Sequence, residues 1–170
     1  MTFRDRTERL RTLFLPSAFA ASILATGAVT NAPIVAADNL RLNQGVVTNV
    51  NTIKKQAGCT TGLRINPQLQ LAAQWQTDDV LQNRNLDGDV GSDGSTLQDR
   101  ARRAGYRGTV AETVATVQSF AINGLDIING WYFRPDYNAI MSNCANTEIG
   151  VWSDNSSDRS VAVAVYGQPA

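Results

Sequence analysis

The chain contains no histidine, and this absence bounds the chemistry that its other polar residues could perform. Serine and cysteine nucleophiles usually need a histidine base, and the GxSxG signature of serine hydrolases is also missing. The remaining candidates for acid–base or cation chemistry are carboxylates. Residues 87–95 (DGDVGSDGS) form an acidic loop, but its spacing is not that of an EF-hand. Counted from Asp87, position 6 is Ser92 instead of glycine; counted from Asp89, position 12 is Arg100 instead of glutamate.

The first 37 residues have the composition of a signal peptide. Arginines at positions 4, 6, 9 and 11 precede an apolar stretch from Leu13 to about Val29. Val35 and Ala37 then occupy the −3 and −1 positions of a small-residue cleavage site before Asp38. We therefore expect residues 1–37 to be removed and the protein to be secreted. The alternative is that the leader stays as a membrane anchor.

The predicted mature chain, residues 38–170, is long enough for one domain with a single core. It holds 11 basic and 13 acidic residues, so it has no electrostatic attraction for nucleic acid. Arg100, Arg102 and Arg103 are interpreted as the exposed side of a helix. No second long apolar segment follows the leader, so no transmembrane segment is expected in the mature chain. We expect a monomer.

The two cysteines, Cys59 and Cys144, both lie in the predicted mature chain. An even number of cysteines in an exported protein favours a disulfide. The alternative is a thiol pair for redox or metal chemistry, but no CxxC spacing supports it. We therefore predict one disulfide between Cys59 and Cys144.

Hydrophobic periodicity, capping residues and turn residues predict helices followed by a β-hairpin. The helices are expected at 42–56, 67–86, 97–104, 121–131 and 136–141, and the strands at 108–117, 148–152 and 160–166. Valines alternate with alanines in the last strand, which indicates that both of its faces are covered. Trp75 and Trp131 are expected to pack in the core. The fold class is therefore α+β, an α–β–α sandwich with a central, mainly antiparallel sheet.

Several short motifs occur in an order that is known from one family. They are residues 66–75 (NPQLQLAAQW), 91–106 (GSDGSTLQDRARRAGY), 111–115 (AETVA), 131–141 (WYFRPDYNAIM) and 147–151 (TEIGV). The chain resembles the CAP superfamily, the SCP-like or pathogenesis-related-1-like extracellular domains, in its bacterial form. The resemblance covers nearly all of the predicted mature chain and implies the same fold.

The resemblance also implies a cavity, which in this family holds two histidines and acidic residues and can bind zinc. The first histidine position falls on Asp89 and the second on Asp136, with Tyr137 as the alternative if the alignment shifts by one residue. The family's cavity acid corresponds to Glu112. Without histidine a zinc site is not expected, but three carboxylates would suit Ca²⁺ or Mg²⁺.

The three carboxylates have two further interpretations. Two of them, held apart, could act as acid and base on a glycosidic bond. Alternatively, they are structural: Asp89 as a turn residue, Asp136 as an N-cap, and Glu112 as a partner of Arg100 or Arg134.

The aromatic residues Trp131, Tyr132, Phe133 and Tyr137 could line a groove for an apolar ligand or complete the core. Our leading hypothesis is a secreted or cell-envelope-associated, non-enzymatic binding module for a lipid, sterol or cell-surface ligand. The cavity would comprise Asp89, Glu112, Asp136, Tyr137 and Trp131. The alternative is a cation-dependent or carboxylate-based hydrolase that uses Asp89, Glu112 and Asp136. No cofactor is expected unless these carboxylates hold Ca²⁺ or Mg²⁺.

Overall fold

A computed structural model describes residues 34–86 and 88–170, with side chains from residue 39 onwards. The predicted signal peptide therefore lies outside the described residues, except for positions 34–37, which begin the first helix. Its cleavage stays a prediction. None of the described helices is both long enough and apolar enough to span a bilayer.

The described residues contain five helices. They are α1 (Ile34–Gln56), α2 (Pro67–Gln82), α3 (Leu97–Arg103), α4 (Gly124–Tyr132) and α5 (Pro135–Ser142). The Asn66 side chain caps α2 by accepting hydrogen bonds from two backbone amides, and Pro67 occupies the first turn. A capping box between Thr96 and Asp99 begins α3 at Leu97, which is the predicted first residue of this helix. Helix α4 begins later than predicted, because Asn123 acts as its N-cap.

The strands form one four-stranded sheet. They are β1 (Arg64–Ile65), β2 (Thr109–Val117), β3 (Glu148–Asn155) and β4 (Ser160–Gln168), in the order β1-β3-β4-β2. Strand β1 runs parallel to β3, whereas β4 pairs antiparallel with both β3 and β2. Strand β1 is not predicted from the sequence, because a strand of two residues is too short to show alternation.

Two hydrophobic clusters lie on opposite faces of the sheet. Ala162, Ala164 and Tyr166 of β4 belong to the cluster that contains residues of α1, α4 and α5. The alternate valines of β4, at 161, 163 and 165, belong to the cluster formed with α2 and α3. This arrangement confirms the predicted α–β–α sandwich with a mainly antiparallel sheet.

Glycine at position 150 allows α2 to lie directly on strand β3. A Cβ atom at Gly150 would overlap the backbone of Leu69 and Gln70 in α2. The face of α2 that packs on the sheet is fully buried and consists of Leu69, Ala72, Ala73, Gln76 and Val80.

The predicted disulfide between Cys59 and Cys144 is present. It joins the segment after α1 to the segment after α5, across 85 positions of sequence. Beside it, the Lys54 ammonium group donates a hydrogen bond to the carbonyl of Asn143, and burial lowers the pKa of Lys54.

Candidate functional site

Glu112, the expected cavity acid, lies in a buried ion pair. Arg100 Nη2 donates to Glu112 Oε1 at 2.8 Å, and the two side chains are 3% and 0% exposed. The prediction that Arg100 lies on the exposed side of its helix is wrong, because its guanidinium turns inward beside Ala101. The structural alternative for Glu112, a pairing with Arg100, is confirmed.

Arg100 also fixes the acidic loop. Its Nη1 donates to the carbonyls of Asp89 and Ser95, at 2.9 and 3.1 Å. From α2, Asp79 accepts hydrogen bonds from the amide and the hydroxyl of Ser92, both at 2.7 Å. Asp79 is a structural residue of this loop that no sequence motif indicates, because it belongs to α2 and lies 13 positions before Ser92.

Glu112 titrates unlike an ordinary glutamate. Burial raises the pKa of Glu112 to about 7; the Arg100 charge opposes this rise, and the charge of Asp89 adds to it. The second carboxylate oxygen of Glu112 has no hydrogen-bond partner among the described residues. Asp89 itself is exposed.

Of the two residues aligned with the second histidine position, Tyr137 turns inward. It is 7% exposed, and the guanidinium of Arg134 lies 3.7 Å from the centre of its ring. Asp136 is exposed and forms an ion pair with Arg134 at 2.6 Å. The prediction that Asp136 is an N-cap is wrong, because Arg134 occupies that position and Asp136 lies in the first turn of α5.

The three expected carboxylates do not assemble into a cation site. Within the part of the chain that the structure describes, no group of three or more His, Cys, Asp or Glu side chains could hold a metal ion. Glu112 is paired with Arg100, and Asp136 is paired with Arg134 at the surface. The expected ligand set of Asp89, Glu112 and Asp136 for Ca²⁺ or Mg²⁺ therefore finds no support in this geometry.

Tyr137 lines a cleft at the end of strand β2. The cleft has a volume of ≈ 480 Å³, within the range of small-molecule sites. Residues 114–118, Trp131 of α4 and three arginines also line it: Arg84, Arg134 and Arg159. Trp131 is 1% exposed, as expected for the core, whereas the neighbouring Phe133 is 78% exposed. The predicted aromatic cluster is therefore divided between the cleft wall and the surface.

Two buried groups of this cleft have hydrogen-bond donors without partners. Arg159 is 3% exposed, and one of its nitrogens lies 3.4 Å from the Leu86 carbonyl. Its Nε and Nη1, and the indole nitrogen of Trp131, have no partner among the described residues. The sequence does not indicate the burial of Arg159, because an arginine next to a polar turn has the pattern of a surface residue.

A second cleft, of ≈ 440 Å³, lies beside the acidic loop. It is lined by Trp75, which is 37% exposed and stacks beneath the Arg103 guanidinium at 5.9 Å. The prediction that Trp75 packs in the core is wrong. Its position on α2 lies beside the buried face instead of on it.

Comparison with known proteins gives structural matches only. No protein-family model and no curated protein matches the sequence. An outer surface protein of Borrelia burgdorferi is 15% identical, with a TM-score of 0.65 over 78% of this chain and 94% of that one. An extracellular protein with an SCP domain from Bacillus anthracis is 16% identical, with a TM-score of 0.66 over 81% of this chain and 44% of that one.

A cysteine-rich secretory protein of Staphylococcus aureus is similar at 17% identity and a TM-score of 0.58, over 76% of this chain and 39% of that one. The chain thus spans less than half of the Bacillus and Staphylococcus proteins. At these identities the likeness shows the fold. The resemblance predicted from the sequence is confirmed at the level of the fold, which is that of the SCP and CAP domains among the similar structures.

Proposed function

We propose that the protein is an extracellular, non-enzymatic binding module whose ligand site is the cleft at the end of β2. The observation that carries the proposal is the buried pair between Glu112 and Arg100. Glu112 is the acid that the family resemblance places in the cavity. Its pairing with Arg100 disfavours a catalytic role, since separating the two buried charges has a large free-energy cost. Neither Arg100 nor Glu112 is among the described residues that line the cleft at the end of β2.

An enzymatic role has less support from the same geometry. A glutamate with a pKa of about 7 has the acidity of a general acid. However, the side chain of Glu112 is 0% exposed. Asp136, the expected second acid, pairs with Arg134 at the surface. Carboxylate-based hydrolysis needs two acids on either side of the scissile bond.

The proposed location also has structural support. Extracellular and outer surface proteins are among the similar structures, and the Cys59–Cys144 disulfide suits an oxidising compartment. Lipid, sterol and cell-surface molecules are the ligand classes to test first, since the cleft combines apolar walls with polar groups.

Tryptophan fluorescence tests the proposal, because Trp131 lines the cleft and Trp75 does not. The purified protein is titrated with a fatty acid, a sterol, phospholipid vesicles and a soluble glycan. We expect at least one of them to change the emission. The change should persist in Trp75→Phe and disappear in Trp131→Phe, with far-UV circular dichroism as the folding control.

Two results would contradict the proposal. One is an unchanged emission and melting temperature across the whole panel. The other is hydrolysis of the glycan that is lost in Glu112→Gln, which would instead establish the enzymatic alternative.

A further inference from the structure

We infer that the cleft binds an anionic group, a carboxylate, phosphate or sulfate, through Arg159 and the indole nitrogen of Trp131. This inference rests on the proposed function, because it names the ligand chemistry of the same cleft. The carrying observation is a buried guanidinium whose Nε and Nη1 have no partner among the described residues.

An unpaired charge in the interior is unfavourable by several kcal/mol, so a buried arginine is normally matched by a carboxylate or phosphate. Arg159 is 3% exposed, and the ion pairs of the described residues do not include it. Its hydrogen bond to the Leu86 carbonyl, at 3.4 Å, is long and carries no opposing charge.

The other charged residues of the cleft do not neutralise Arg159. Arg84 is paired with Asp158 at 2.6 Å, and Arg134 with Asp136 at 2.6 Å. The one carboxylate among the described cleft-lining residues is Asp126, whose Oδ2 accepts from Asn123 at 2.6 Å. Asp126 is exposed, and no ion pair of the described residues joins it to Arg159, so Arg159 is the buried charge of the described cleft wall that no carboxylate contacts.

The unpartnered buried atoms of the described cleft wall are all donors. Trp131 Nε1 can only donate, and so can the guanidinium nitrogens of Arg159. The unpartnered buried acceptors of the described residues, such as Glu112 Oε2, are not among the residues that line this cleft. A ligand that satisfies these donors must bring acceptor oxygens, and a planar guanidinium favours an anion with two of them.

The walls indicate what the anion is attached to. Leu86, Val114 and Ile122 line the cleft together with the indole of Trp131. Because apolar surface favours an apolar ligand body, we expect a small amphiphile with an anionic end to bind more tightly than a free anion.

The experiment compares charged and neutral probes of one chain length. Octyl phosphate, octanoate and octanol are titrated by calorimetry at constant ionic strength, alongside inorganic phosphate, sulfate, and vesicles with and without an anionic lipid. We expect octyl phosphate and octanoate to bind at least tenfold more tightly than octanol. Tight binding of inorganic phosphate would identify a free anion as the ligand, whereas vesicle binding that needs the anionic lipid would identify a headgroup.

Variants assign the effect to Arg159. Arg159→Met should weaken octyl phosphate binding by about 30-fold or more, because the phosphate of the ligand would then be buried without an opposite charge. Arg159→Lys should retain part of the affinity, because it keeps the charge without the planar fork. The matched control is Arg103→Gln, which removes a paired, exposed arginine of the other cleft and should leave the affinity unchanged.

Stability supplies an independent readout. Without ligand, Arg159→Met should unfold at the same temperature as the wild type or higher, because it removes an uncompensated buried charge. A marked loss of stability would show a structural role for Arg159 and overturn the inference.

Equal affinity for octanol and octyl phosphate would also overturn the inference, while leaving the proposed function standing. The proposed function fails separately, if no lipid, sterol or glycan binds either.

Discussion

The guanidinium of Arg100 and the carboxylate of Glu112 lie 2.8 Å apart in the interior, between α3 and β2. Each holds the other in a position that neither would occupy alone, since both side chains are almost fully removed from solvent. The pair also connects the sheet to the acidic loop through the Asp89 carbonyl.

Removal of one partner should therefore be strongly destabilising. Arg100→Ala leaves the Glu112 carboxyl buried and unpaired, and we expect a loss of about 3 to 5 kcal/mol in the free energy of unfolding. Arg103→Ala, on the same helix, breaks an exposed pair with Asp93 and should lose about 1 kcal/mol or less. Urea denaturation measures both, and equal losses would contradict the role of the pair.

The pKa of Glu112 predicts a pH dependence. Because burial raises this pKa from 4.5 to about 7, the folded protein binds the proton more tightly than the unfolded chain does. The resulting stabilisation is fully present below about pH 4.5 and is lost as the pH rises through about 7. The wild type should therefore lose stability relative to Glu112→Gln over this interval. A difference in melting temperature that stays constant with pH would refute the prediction.

The disulfide should contribute substantially to stability. It closes a loop of 85 residues, for which chain entropy gives about 4 to 5 kcal/mol. We expect Cys59→Ser/Cys144→Ser to lose stability of this order in urea denaturation. The oxidised and reduced wild type provide the matched comparison. A reduced protein as stable as the oxidised one would show that the bond constrains little.

Substitution of Gly150 by alanine should destabilise the protein, whereas the same substitution at Gly45 should not. Gly150→Ala places a methyl group against the α2 backbone, and we expect a loss of about 3 kcal/mol or more because the helix must move. Gly45→Ala, within α1, adds a methyl group that points into open space, and should stabilise by about 0.5 to 1 kcal/mol. Thermal denaturation distinguishes these opposite signs.

Much of the fold follows from local patterns, because capping and alternation depend on neighbours in the sequence. Asn66 with Pro67, and Thr96 with Asp99, mark helix starts that the structure reproduces. Strand β1 depends on its parallel partner β3, and no local signal marks it. The sequence predicts a start of α4 at residue 121, which is wrong because Asn123 is the N-cap of this helix.

The site was less predictable, because it depends on which way each side chain turns. The spacing of Tyr137 and Met141, one helical turn apart on α5, indicates that Tyr137 lies on the buried face of this helix. Arg159 gave no such signal, because its burial results from elements that are distant in sequence. Charge alone made Arg100 and Arg159 resemble surface residues.

The central position of β4 has a consequence for how the molecule is assembled. Both β2 and β3 find their antiparallel partner in Ser160–Gln168, the last strand to be synthesised among those described. Until the ribosome has released that segment, neither layer of helices has a complete sheet to cover. The sheet therefore cannot be completed before Ser160–Gln168 has been synthesised, and a protein truncated before Ser160 would be left with its two cores open.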